Sequence, residues 1–159
     1  MFCKLIDKYL RFYAESEVDL VEGVAQHLAQ VSLPIFQRVV VVPVFCEKES
    51  IFQLLQSIKQ ASLFAKKSVL VILVFNQRIS SAAKEKEENI SLWSKLSGKL
   101  STTIFLKTLR SSGFFGVYLN LNILMVDRIS KGREFTNKFG VGLARKIGCD
   151  LAVACHAKG

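Results

Sequence analysis

The sequence predicts an α/β domain built on an open, mostly parallel sheet with helices on both faces. Two observations carry this. Residues 39–45 and 69–75 are continuous apolar runs rich in Val, Ile and Leu, the pattern of parallel strands covered on both faces. Between them Ile51, Leu54, Leu55, Ile58, Ala61, Leu63 and Phe64 recur at helical spacing, giving a strand–helix–strand unit with a right-handed crossover.

The elements follow in order. In residues 1–36, Leu5, Ile6, Tyr9, Leu10, Phe12 and Tyr13 form one helical run, and Val18, Val21, Val24, Ala25 and Leu28 a second, which Pro34 ends. This segment is expected to be a helical N-terminal extension, with the α/β domain proper at 37–159. The first strand covers 38–45, and its unbroken valines predict a central position. Pro43 marks its carboxyl end, because proline cannot donate to a ladder. Glu49 or Ser50 opens the next helix. The second strand spans 68–75 and ends at Asn76.

Residues 77–81 read as a polar loop, and 84–89 as a charged helical turn or, preferred, that loop's solvated surface extension. Ile90, Leu92, Trp93 and Leu96 predict a helix that Gly98 stops, with Trp93 half-buried in the core. Thr102 to Phe105 favour a strand, and 114–118 are open between strand and buried loop. Residues 121–126 give another strand, followed by Asp127 and Arg128. A last helix is expected from near 135–138 to Ile147, with a kink at Gly148 before 150–155. His27 is placed on the polar side of its helix.

Composition narrows the function. The 159 residues suffice for one domain with a sizeable core. No apolar run is long enough to cross a bilayer, and the N-terminus lacks the pattern of a secretion signal, so a cytoplasmic location is expected. Cys3, Cys46, Cys149 and Cys155 fit no disulfide framework or zinc knuckle and read as free thiols. Cys155 and His156 would offer two metal ligands with no matching pair earlier. The net charge of +9 attracts anions in general: nucleotides, nucleic acid and anionic lipid alike.

In open α/β sheets ligands bind beyond the carboxyl ends of the strands. Glu47 with Glu49, Asn76 with Gln77, and Asp127 with Arg128 fall there. Glu47 and Asn76 are candidates to accept from ribose or base donors. Arg145 and Lys146 are candidates to meet a diphosphate, helped by N–H groups at the start of the last helix. Each has a structural alternative: Glu49 as a helix-start carboxylate, Asn76 as a turn former, Asp127 as a cap, Arg145 and Lys146 as solubilising charge. Gly140 and Gly142 permit close packing with or without a ligand.

Two motifs together resemble family 2 glycosyltransferases. Pro43-Val44-Phe45-Cys46-Glu47 is similar to that family's Pro-x-Tyr/Phe-Asn-Glu, with Cys46 in place of Asn. Residues 140–148 are similar to its Gly-x-x-x-Ala-Arg-Asn-x-Gly helix, with Lys146 in place of Asn. The resemblance spans about residues 38–159. It implies a Rossmann-like GT-A nucleotide-binding half, truncated before the Asp-x-Asp strand, since residues 157–159 look like the stretch preceding that strand. It further implies a nucleoside diphosphate sugar of UDP or GDP type as partner, bound by Pro43, Phe45, Glu47, Asn76, Asp127 and Arg145. Sugar transfer to an alcohol would need Mg²⁺ or Mn²⁺ and a general base, both expected only in a full-length enzyme. No catalytic residue, metal site or cofactor is assigned within this chain. The truncated fold should leave an exposed sheet edge and self-associate. The competing reading is a small basic α/β module that binds protein or nucleic acid, although its cations lack a stripe with interleaved aromatics.

Overall fold

The computed structural model of the protein describes residues 2–31 and 36–157. Its elements run α1 (Phe2–Phe12), a short 3-10 helix (Ser16–Asp19), α2 (Leu20–Val31), β1 (Arg38–Val44), α3 (Ser50–Ala65), β2 (Val69–Asn76), α4 (Ala83–Ser97), β3 (Ser101–Lys107), β4 (Ser112–Tyr118), β5 (Leu121–Arg128) and α5 (Val141–Ala157). Pro34 and residues 158–159 lie outside the described residues, as does the Cys3 side chain.

One open sheet has the order β1-β2-β5-β4-β3. β1·β2 and β2·β5 are parallel, while β5·β4 and β4·β3 are antiparallel. The sheet is therefore mixed rather than mostly parallel. The segment that was ambiguous in the sequence is a hairpin that extends it. A two-residue turn at Leu119 and Asn120, both at positive φ (55° and 61°), joins β4 to β5. That is the backbone sign a right-twisted hairpin favours.

Among the described residues β1 pairs only with β2, so it is an edge strand and the expected central position is corrected. The valine run reported cover on two faces. Val40 and Val42 pack with α3 residues in one core, and Val39 and Val41 with α5 residues in the other. Cover on both faces says nothing about pairing on both edges. Pro43 fits this edge. The Arg38 N–H donates to Ser68 O, and the Asn76 amide donates to Val44 O. Period-two alternation then turns the backbone groups of Val39, Val41 and Pro43 outward, so the missing proline N–H costs no ladder bond.

The sheet separates two cores. On one side α5 lies across β1 and β2, with α2 over the hairpin; Leu20, Val21, Val24, Leu70, Ile72, Phe115, Ile147 and Leu151 fill the space. The N-terminal helices thus share a core with the sheet. On the other side α3 and α4 bury Ile51, Leu55, Leu92 and Leu96 against Val71, Leu73, Phe75 and Ile123.

Three helix expectations are corrected. In α3 only Ile51 and Leu55 are fully buried; Leu54, Ala61, Leu63 and Phe64 are exposed, Phe64 by 93%. Lys66 at φ 48° then closes the helix, with Lys66 N–H donating to Leu63 O and Lys67 N–H to Ser62 O. This is a Schellman closure with lysine where glycine is usual. Residues 84–89 belong to α4 rather than to a loop. Glu85 accepts the Ala82 N–H at 2.9 Å, which secures the first turn, and Asn89 is fully buried. Finally, α5 starts at Val141 and runs through Gly148 unbroken, because Val41 fills the place where a side chain would stand. Residue Phe135, expected near the start of that helix, is instead buried in a bridge to Arg78. His27 sets its ring edge-on to Phe115 at 5.8 Å rather than facing solvent.

Candidate functional site

The carboxyl ends of β1, β2 and β5 form one rim of the sheet. The loop after β1 is held there by α4. Asn89 Oδ1 accepts the Cys46 N–H at 2.8 Å, and Cys46 Sγ donates to Glu85 O. Cys46 and Lys48 both adopt left-handed backbone, φ 53° and 42°, which costs energy in residues other than glycine. The kinked loop leaves Phe45 and Glu47 exposed, and Glu47 accepts a hydrogen bond from the Ser50 hydroxyl at 2.8 Å. Glu49 stands just before α3 but makes no side-chain cap bond there, its carboxylate pairing with Lys95 instead. Pro43 is half-buried at the end of β1.

Asn76 is buried at the end of β2. Its amide donates to Val44 O at 3.0 Å and to Val74 O at 3.1 Å, latching β1 to β2. Asp127 is buried at the end of β5. Its Oδ1 accepts the N–H groups of Ile129 and Ser130, and its Oδ2 the Ser112 hydroxyl at 3.2 Å. Arg133 donates in turn to the Ser112 hydroxyl oxygen at 2.6 Å. Both groups therefore spend their hydrogen bonds on the rim itself.

α5 enters at the same rim. Arg78 Nε donates to Phe139 O at 2.9 Å, which fixes the start of the helix beside the end of β2. Farther along, Gly148 rests on Val41, so α5 runs antiparallel to β1. Arg145 lies three residues earlier, about 4.5 Å nearer the rim at helical rise. Its neighbour Lys146 is committed elsewhere: it binds Tyr13 O, Glu15 and the buried Asp150. Arg145, the preceding residue, is turned about 100° away from Lys146 round the helix. It is exposed and makes no ion pair with a described residue.

Arg78 is the functional candidate that the sequence reading missed. Its guanidinium lies against Gly140, where a Cβ would stand 2.9 Å from Nη2. Only the absence of a side chain at Gly140 lets the cation lie so close to the helix start. The one signal available was a basic residue two positions beyond an apolar strand. Gly142 has open space around it, so a ligand could approach its backbone.

The rim thus carries Arg78 and the first N–H groups of α5, with Arg145 exposed about one turn farther along that helix, and the loop after β1 exposes Phe45 and Glu47. Cations with helix-start N–H groups suit an anion such as a phosphate. The Cys46 thiol of this region is a poor nucleophile, as is that of Cys155 near the far end of α5. Burial raises Cys46, helped by Glu88 and Glu85, and burial pushes Cys155 up to about 11. Among the described residues no group of three His, Cys, Asp or Glu side chains could hold a metal ion. No described helix is long and apolar enough to cross a membrane.

Comparison of the chain with protein-family models, with curated proteins and with solved structures finds no match in any of the three. What stands is an α/β domain with a mixed, open sheet flanked by helices.

Proposed function

We propose that this domain binds a nucleoside diphosphate, of UDP or GDP type and carried as a nucleotide sugar, at the carboxyl rim of β1, β2 and β5. The observation that carries the reading is Arg78, seated against Gly140 at the start of α5 with Arg145 one turn further in. In this reading the diphosphate meets the two guanidinium groups and the helix-start N–H groups. Glu47 accepts from ribose hydroxyls or base N–H groups, and Pro43 and Phe45 form the wall for the base. Asn76 and Asp127 hold the rim in shape beneath it. The parent activity would be transfer of the sugar to an alcohol, with the metal and the general base supplied outside this rim.

Calorimetric titration with UDP, GDP, uridine and inorganic pyrophosphate tests the assignment. Both diphosphates should bind, uridine should bind at least tenfold more weakly, and Arg78→Gln and Arg145→Gln should each weaken UDP binding by about tenfold, the worth of one charge-assisted hydrogen bond. Heat with none of the nucleotides would remove the reading.

The open edge of β1 supports a second part of the proposal, self-association by strand pairing. Val39 and Val41 turn free N–H groups outward from an apolar strand, the template that edges present to other chains. Light scattering should show concentration-dependent dimers that Val39→Pro, which removes one outward N–H, reduces. A clean monomer at high concentration would exclude it.

A further inference from the structure

We infer that α1 docks this domain onto an anionic lipid surface. α1 carries two faces of apolar residues. Leu10 packs into the core and Ile6 is half-buried beside it. Leu5, Tyr9, Phe12 and Tyr13 recur at helical spacing on a neighbouring stripe; Leu5, Phe12 and Tyr13 are each more than 60% exposed, while Tyr9 is 37% exposed and turns its hydroxyl to α5. An open groove of about 450 Å³ between this stripe and Val153 of α5 continues the apolar surface.

The cations of α1 give the stripe its partner. Lys4, Lys8 and Arg11 sit at spacings of four and three, in one row along the helix beside the apolar stripe. All three are exposed, and none pairs with an acidic group among the described residues. Arg11 lies over the Phe12 ring at 5.5 Å. Going round the helix, core contacts give way to the exposed apolar stripe, then to the cation row. A helix with this order sits in a headgroup layer, its apolar stripe inserted and its lysines and arginines among lipid phosphates. Tyr13, 62% exposed and stacked on Tyr9 at 6.2 Å, suits the boundary between acyl chains and water. A net charge of +9 adds attraction from the rest of the molecule.

The helix is also fixed in the orientation this requires. Tyr9 donates its hydroxyl proton to the buried Asp150 at 2.7 Å, and the Glu15 N–H donates to the same carboxylate at 2.8 Å. Two bonds to α5 therefore keep the apolar stripe facing out. Charge complementarity favours a phospholipid over a second copy of this chain, whose matching stripe would bring like cations together.

Co-sedimentation tests the inference, with vesicles of phosphatidylcholine alone and of phosphatidylcholine containing roughly a third phosphatidylserine. The protein should sediment with the anionic vesicles and stay in solution with the neutral ones. The variant Lys4→Gln/Lys8→Gln/Arg11→Gln should bind about 100-fold more weakly, at about fivefold per cation. Leu5→Ser/Phe12→Ser should also lose binding, with unchanged circular dichroism because both side chains are exposed. Hydrogen exchange should slow over α1 when anionic vesicles are added. Equal binding to both vesicles, binding unaffected by the triple variant, or exchange that slows elsewhere would overturn the inference. So would a dimer that the Leu5→Ser/Phe12→Ser variant abolishes, which would assign the stripe to a second copy.

Discussion

Gly148 lies so close to Val41 that a Cβ added to it would stand 2.2 Å from Val41 Cγ1. This contact sets the distance between α5 and the edge strand. Alanine normally favours a helix over glycine by about 1 kcal/mol. Here overpacking should outweigh that gain, and Gly148→Ala should lower stability by about 1–2 kcal/mol net. Gly142→Ala has open space and should be neutral or stabilising by a few tenths of a kcal/mol. Urea denaturation of the pair would check the contrast, and equal effects would refute the packing argument.

An ion pair from the 3-10 helix to β5 joins Glu17 to Arg128 at 2.5 Å, with the Glu17 side chain 2% exposed. Arg128 also lies over the Phe135 ring and donates to Arg133 O. Removing one member of a buried pair strands the other charge. Arg128→Ala should therefore cost about 3 kcal/mol or more, while an exposed pair such as Lys48–Glu88 should cost under about 1 kcal/mol when broken. Thermal melts of both variants would measure the difference.

Asn89 is fully buried and serves three partners. It accepts from the Cys46 N–H and donates to Asn76 O and Gln77 Oε1. Asn89→Leu should lower stability by about 2–4 kcal/mol, because several buried polar groups lose their partner. It should also speed hydrogen exchange at Cys46 before the rest of β1 responds. Uniform exchange across β1 would count against a specific tether.

Alkaline pH should destabilise the fold. The folded protein holds protons more tightly than the unfolded chain at four groups. The hydrogen bond to Asp150 raises Tyr9; burial lowers Lys146, but Asp150 and Glu15 outweigh it and raise the net value; burial raises Cys46 and Cys155. Every shift has the same sign. The stabilisation is complete below the unfolded values and is lost as pH rises through the folded ones. For Cys155 the loss runs from 9.0 to about 11. That one thiol accounts for roughly 2–3 kcal/mol. Melting temperatures across this range should fall, and Cys155→Ala should flatten the fall.

Much of the fold was legible in the residue pattern. The apolar runs of β1 and β2 marked strands because continuous Val, Ile and Leu means cover on both faces. Asn76 and Asp127 marked strand ends because short polar side chains follow where ladders stop. The α4 start was misread because Lys84 to Glu88 looks solvated, and it is. A charged run is also a sound helix surface once Asn89 and Leu92 anchor the other side. The candidate site was less legible. Glu47 and Arg145 could be named from motif and position, whereas Arg78 could not. Its role depends on the bridge between Arg78 and Phe135, a pairing across more than fifty residues.

By itself, the sequence determined the strand–helix–strand unit of β1, α3 and β2 and the strand β5, that the domain is α/β, and that its surface is cationic. These follow from local periodicity and composition, which each segment carries alone. Tertiary structure decided that β1 lies at an edge, that Gly140 and Gly148 are close-packed while Gly142 is open, and that Lys146 is spent on Asp150 while Arg145 forms no ion pair with a described residue. Those outcomes depend on which elements become neighbours, and neighbours are chosen by burial summed over the whole chain rather than by any residue's own preference.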